Sequence, residues 1–238
     1  MSHTCLAPEF SGEFFVPGKS RQRMEADHME RYLFACKFAH NKSVLDIACG
    51  TGYSAPLFTK AGAARYHGVD INKKLITYAN ETYGSYSVNF FVGDICKYDN
   101  GKPYSLITCF ETIEHVDKYE TALTNLFNLL ENDGILIISS PNRPVTSPDT
   151  ASLQDKPKNQ FHTQEFTPRA LLSLLHKSGF SATKDDVYGQ RQRKLHSNRI
   201  VRKSSRIMFG NPDKTTSPML TLVKDKVPRY FTIVAMKK

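Results

Sequence analysis

Val44-Leu45-Asp46-Ile47-Ala48-Cys49-Gly50-Thr51-Gly52-Tyr53-Ser54-Ala55 is the stretch that decides the fold. An apolar strand, Ser43–Ala48, runs into a glycine turn and then into a helix, Tyr53–Ala61, closed by Gly62. Gly50 and Gly52 let the backbone come close to a ligand, because neither carries a Cβ. The bare pattern G-x-G-x-x-A also opens dinucleotide-binding folds, so by itself it does not name the ligand.

The same alternation continues outward from this turn. Tyr66–Asp70, Ser87–Val92, Tyr104–Phe110 and Gly134–Ser140 read as strands. Asn72–Thr82 and residues 117–131 read as the helices between them, the latter from Tyr119, Ala122, Leu123, Leu126, Leu129 and Leu130 at helical spacing. A helix over 23–39, with Met29, Leu33 and Cys36 on one face, precedes the first strand. Another is capped by Thr167, begun by Pro168 and closed by Gly179. Residues 181–189 and 229–237 complete the set as the last two strands. Strands alternating with helices predict an α/β fold, a doubly wound and mostly parallel sheet in a single domain over 1–238. Residues 1–22 read as a flap, 141–166 as an acceptor loop broken by four prolines, and 191–228 as a basic insertion before the last strand.

Electrostatics choose between the possible ligands. A dinucleotide places its pyrophosphate at the helix N-terminus. Asp46, four residues before Gly50, is expected to point negative charge into that crevice. That repels a pyrophosphate and suits S-adenosylmethionine, which carries an ammonium and a sulfonium and no phosphate. Asp70 ends the second strand twenty residues after Gly50, where a carboxylate accepts ribose hydroxyls. Asp94 ends the third, placed to take an adenine amino group between apolar walls.

With these motifs the sequence resembles the class I S-adenosylmethionine-dependent methyltransferases over residues 23–189 and the last strand. The resemblance implies a seven-stranded sheet ending in an antiparallel hairpin. It implies cofactor contacts from Asp46, Gly50, Gly52, Asp70, Asp94 and Ile95, with Ala48, Cys49, Thr51, Ile71 and Phe110 on the same turns. Members often add a contact from the helix before the first strand, which here offers His28 or Arg31.

Cys109-Phe110-Glu111-Thr112-Ile113-Glu114-His115-Val116 follows the fourth strand. A helical turn over 111–116 brings Glu111, Glu114 and His115 to one point. A second polar group follows the fifth strand: Pro141-Asn142-Arg143, then Asn159-Gln160-Phe161-His162-Thr163-Gln164-Glu165-Phe166. The E-x-x-E-H pattern is similar both to ubiquinone-biosynthesis and glycan-type O-methyltransferases and to small-RNA 2′-O-methyltransferases. In the latter the two acids, that His and a later His bind a divalent metal. Glu114 and His115 can simply brace the loop, and two chemical roles also stay open. Glu111, Glu114, His115 and His162 can hold Mg²⁺ or Mn²⁺, or His115 or His162, with Glu111, can serve as the proton-removing machinery. The Ser140–Arg143 turn and the Phe14–Gly18 segment look closer to the small-molecule and glycan enzymes, while RNA remains the alternative acceptor.

Net charge is +9, and residues 191–228 alone hold ten Lys/Arg against two acids. Such a block is a candidate contact for an anionic substrate or RNA, although Phe209 is its one aromatic for base stacking. The longest apolar runs fall far short of the ~20 residues that span a bilayer. Five cysteines without a C-x-x-C pair read as free thiols, and the expected location is the cytoplasm.

Overall fold

The computed structural model describes Pro8, Val16 and residues 18–148, 155–193 and 216–238. Most of the expected flap falls outside them, as do Lys194, Arg199, Arg202, Lys203, Arg206 and Lys214 of the basic block. The helices are α1 (Gln22–Cys36), α2 (Ala55–Lys60), α3 (Lys73–Tyr83), α4 (Tyr119–Leu129), α5 (Arg143–Thr146) and α6 (Pro168–Lys177). The strands are β1 (Ser43–Ile47), β2 (Arg65–Asp70), β3 (Val88–Val92), β4 (Tyr104–Cys109), β5 (Leu130–Pro141), β6 (Phe180–Ser181), β7 (Val187–Gln190), β8 (Thr221–Leu222) and β9 (Tyr230–Lys237).

They form one sheet in the order β3-β2-β1-β4-β5-β9-β7-β8, with β6 also on β9. β1 to β5 are parallel, and β9 runs antiparallel beside β5 from Ile135↔Met236 to Pro141↔Tyr230. Chain order reverses between β1 and β4, and ligands in such sheets bind beyond the carboxyl ends of the strands at that point. Side chains alternate across the sheet. Leu45, Ile107 and Leu136 enter one core with Leu123, Leu126, Leu171 and Leu175 of α4 and α6. Their neighbours Val44, Leu106 and Ile137 enter the other with Tyr32, Phe58 and Ile76 of α1, α2 and α3. Asn72 caps α3 through Lys74 N, and Thr167 caps α6 through Ala170 N at 3.1 Å.

Three expectations change. The strand expected over 181–189 divides into β6 and β7, because a 3-10 turn at Lys184–Asp186 intervenes, boxed by Thr183 and Asp186. β8 adds a further short strand inside the basic stretch, so the sheet has nine strands among the described residues rather than seven. The buried face of α1 is not the expected one of Met29, Leu33 and Cys36: Leu33 is 45% exposed, while Tyr32, Phe34 and Ala35 are buried together with Asp27 and Arg31, at 4% and 1% exposure. Charged residues occupy that face because they have partners inside, described below. No helix among the described residues is long and apolar enough to cross a membrane.

Candidate active site

Beyond β1 the chain turns through left-handed backbone at Ala48, Gly50 and Gly52, with φ of 58°, 57° and 76°. The two glycines differ in what surrounds them. A Cβ on Gly52 would lie 2.6 Å from Phe90 and 2.8 Å from Ala79, so this turn must seat tightly on β3 and α3. A Cβ on Gly50 would meet nothing within 4 Å, which leaves open space above the turn. Asp70 borders that space. Its carboxylate accepts from Gly50 N at 2.9 Å and Asn72 N at 2.8 Å. Burial raises its pKa, against the backbone bonds that lower it. Ile71 stands 73% exposed beside it. Asp94 accepts from Cys96 N through Oδ1, ahead of the buried Ile95. An open cradle, an acid at each strand end and an uncovered apolar wall fit a nucleoside.

Asp46 corrects the electrostatic reading. It does not point into the crevice but is fully buried beneath the turn. Oδ1 accepts from Thr108 at 2.7 Å and Tyr32 at 3.2 Å; Oδ2 accepts from Ser54 at 2.6 Å and Tyr66 at 2.9 Å. A carboxylate has about four acceptor positions, and protein hydroxyls take them all. Burial raises its pKa, opposed by those same bonds. Asp46 therefore ties α1, α2, β2 and β4 together under the site. Cys49 and Thr51 are also buried, at 1% and 0%. Phe110 packs edge-on to Tyr32 with ring centres 5.0 Å apart.

Both candidates on α1 turn inward. His28 Nδ1 lies 3.1 Å from Tyr53 Oη, just after the glycine turn, and burial first, then Arg31, depresses its pKa well below the usual histidine value. Arg31 donates to Gln190 Oε1 at 2.6 Å and stands 3.8 Å from Glu111 Oε1.

The E-x-x-E-H segment does not converge as one helical turn. Its 3-10 turn covers only Ile113–His115, and Glu111 sits before it with φ 48°. Glu111 instead accepts from Ser139 Oγ at 2.7 Å. Glu114, His115 and His162 do come together, with one potential ligand atom from each within 4.8 Å of the others. Glu114 is buried, and burial first, then Glu111, pushes its pKa well above the carboxylate range. His115 and His162 meet edge to face at 4.8 Å. His115 Nδ1 donates to Phe161 O at 2.9 Å.

Glu165 is a candidate site residue to which the sequence pattern assigned no role. His162 Nδ1 donates to its Oε1 at 2.8 Å, while Thr146 and Ser147 each donate to its Oε2 at 2.7 Å. Burial raises the Glu165 pKa, but the bonds from His162, Thr146 and Ser147 outweigh it and hold the carboxyl below its usual value. The H-x-x-E spacing was the available signal. Arg191 is corrected as well: it is 7% exposed and bonded through Nε to Asp27 Oδ1 at 2.8 Å, so it does not belong to a solvent-facing cationic surface.

A family model described as a methyltransferase domain matches residues 20–184. A probable S-adenosylmethionine-dependent methyltransferase of Mycolicibacterium smegmatis is 26% identical over 184 residues, 75% of this chain and 67% of that protein. A ubiquinone biosynthesis O-methyltransferase of Glaesserella parasuis is 33% identical over 111 residues, 43% of this chain and 46% of its own length. The chain thus spans less than half of that relative. Among solved structures, the N-methyltransferase NodS of Bradyrhizobium japonicum with S-adenosyl-L-homocysteine matches with TM-score 0.62 at 12% identity, over 95% of each chain. A magnesium protoporphyrin IX methyltransferase from Synechocystis with the same ligand matches with TM-score 0.57 at 17% identity, over 91% of this chain and 83% of the other. At such identities these two show the fold alone. Fold, glycine turn and family match agree: the chain belongs to the methyltransferase domain family and is an S-adenosylmethionine-dependent methyltransferase.

Proposed function

We propose that the chain methylates a hydroxyl oxygen of a small-molecule or glycan acceptor, with His162 removing the hydroxyl proton. The observation that carries this is the Glu165–His162 pair. Glu165 fixes His162 as the Nδ1–H tautomer, so Nε2 keeps its lone pair. Asn159 Nδ2 donates to that lone pair at 2.8 Å. Asn159 is exposed, so an acceptor hydroxyl arriving there replaces a bond from a surface side chain.

S-adenosylmethionine supplies an electrophilic methyl group on sulfur. The protein's own contribution is alignment, worth up to about 7–11 kcal/mol, and proton removal, worth about 10²–10⁴ in rate. Asp70, Gly50 and Asp94 fix the nucleoside half. His162 accepts the hydroxyl proton as the oxygen–methyl bond forms and the methyl–sulfur bond breaks, with that electron pair leaving on the thioether of S-adenosyl-L-homocysteine, and Glu165 stabilises the resulting imidazolium.

A second reading is favoured by the convergence of Glu114, His115 and His162 within 4.8 Å. These residues would hold Mg²⁺ or Mn²⁺, which acidifies a bound hydroxyl. Glu111, bonded to Ser139, is not part of that set.

The test incubates the protein and labelled methyl donor with a pooled metabolite, glycan and RNA extract, then fractionates the product by size. Label in base-labile esters, amines or RNA would overturn the reading; label in small or glycan ethers that disappears in His162→Gln would support it.

A further inference from the structure

Arg31 is a buried guanidinium with too few acceptors. The described residues give it one hydrogen bond, to Gln190, and one long ion pair, to Glu111 at 3.8 Å. Its Nε has no partner, although the residue is 1% exposed. The Tyr230 ring lies 5.5 Å from its Cζ. A buried cation with spare donors is costly unless an anion completes it. Arg31 also stands where an anion would arrive. Its helix touches the glycine turn through His28 and Tyr53, and its own side chain faces Glu111 at the end of β4.

What holds Arg31 there comes from the far side of the sheet. Gln190, the last residue of β7, is completely buried. It accepts from Arg31 while its Nε2 donates to Asp27 O at 3.0 Å and Pro218 O at 2.7 Å. The next residue, Arg191, takes the left-handed φ of 53°, a strained setting for a residue with a side chain. That turn sends Arg191 Nε to Asp27 Oδ1 at 2.8 Å, and the guanidinium also donates to Thr216 O. Backbone closes the junction, with Arg191 N donating to Ser217 O at 2.9 Å. The root of the basic stretch is thus clamped onto α1 one helical turn before Arg31.

We propose that Gln190, supported by the Asp27–Arg191 ion pair, is a positioning residue that presents Arg31 to the carboxylate of the cofactor's amino-acid half. The inference rests on the cofactor crevice described above and assigns a binding role to the root of the basic stretch. Gln190 acts only through Arg31.

Calorimetry with two probes separates this from simple support of the fold. S-adenosyl-L-homocysteine carries the amino-acid half; 5′-methylthioadenosine lacks it and reads the nucleoside half alone. The variants are Arg31→Gln, Gln190→Met, their double and Asp27→Asn. The expected result for Arg31→Gln is a loss of about tenfold or more for S-adenosyl-L-homocysteine, with methylthioadenosine unchanged. Gln190→Met should show the same selective loss to a smaller degree, and the double should be no worse than Arg31→Gln alone. Asp27→Asn, which keeps the shape of the junction, should repeat the pattern if Gln190→Met does not fold. Equal loss of both probes in Gln190→Met or Asp27→Asn overturns the proposal, because it marks a purely structural role. Additive losses in the double also overturn it. Unchanged S-adenosyl-L-homocysteine affinity in Arg31→Gln removes its premise while leaving the crevice intact; failure of wild type to bind either probe refutes the crevice itself.

Discussion

Glu165 Oε1 stands 2.8 Å from Nδ1 of His162, and the same carboxylate is anchored by Thr146 and Ser147 through its other oxygen. A carboxylate fixed on two sides sets both the orientation and the tautomer of the ring it holds. Glu165→Gln is expected to lower labelled methyl transfer to the extract by about tenfold or more, a part of the full general-base contribution. Affinity for S-adenosyl-L-homocysteine should not move. Single-turnover rates and calorimetry on the same preparation check this; unchanged turnover removes Glu165 from the mechanism.

The same residue has a stability signature. In the folded protein the bonds from His162, Thr146 and Ser147 hold its carboxyl below the ordinary carboxylate value. Its contribution is therefore full above that value and is lost as pH falls through the lower folded pKa. Glu165→Gln should flatten this acid limb in thermal melts taken from pH 6 downward. A variant whose melting temperature falls with acid as steeply as wild type would show that other groups cause the limb.

Glu114 runs in the opposite direction. Burial and Glu111 raise its pKa, so the folded state favours the protonated acid. Its contribution is present at low pH and is lost as pH rises through the raised folded value. Glu114→Gln should be tolerated and should gain stability relative to wild type on the alkaline side. If a divalent cation instead holds this carboxylate ionised, chelator should abolish turnover while leaving cofactor binding intact, and Mg²⁺ or Mn²⁺ should restore it. Full activity in excess chelator would dispose of the metal reading.

Gly50→Ala and Gly52→Ala should fail differently. Both residues have positive φ, which costs alanine about 1 kcal/mol. At Gly52 the new methyl also overlaps Phe90 and Ala79, so the melting temperature should drop sharply. At Gly50 the methyl enters open space, so the fold should survive and cofactor affinity should fall. Comparable melting temperatures for the two variants would contradict the packing described for the turn.

Asp70→Ala should cost about 1.5–3 kcal/mol of cofactor affinity, roughly 10–100-fold, because it removes a charged hydrogen-bond acceptor at the edge of the cradle. Asp46→Asn should act mainly on stability, since it breaks up a buried set of hydroxyl bonds beneath the site. The contrast separates two acids that look equivalent in sequence. If Asp46→Asn melts like wild type but loses cofactor, the burial argument is wrong.

The alternation of strands and helices, the glycine turn and the acids at the ends of β2 and β3 were all legible in the sequence. Those follow from local period and from spacing along one chain, which side-chain alternation and turn stereochemistry enforce without reference to distant residues. Which charges border the crevice and which are buried away from it followed only from the packing of distant elements. Asp46 looked like a crevice residue, yet hydroxyls from three elements and the α2 cap saturate it. Glu111 shared a motif with Glu114 and His115, yet a left-handed backbone sends it to Ser139. Arg191 counted as one more surface cation, yet Asp27, 164 residues earlier in the chain, takes it inside. The physical reason is common to all three. A charged group settles where its hydrogen bonds are satisfied, and its partners here lie on other elements, at separations that no local pattern records.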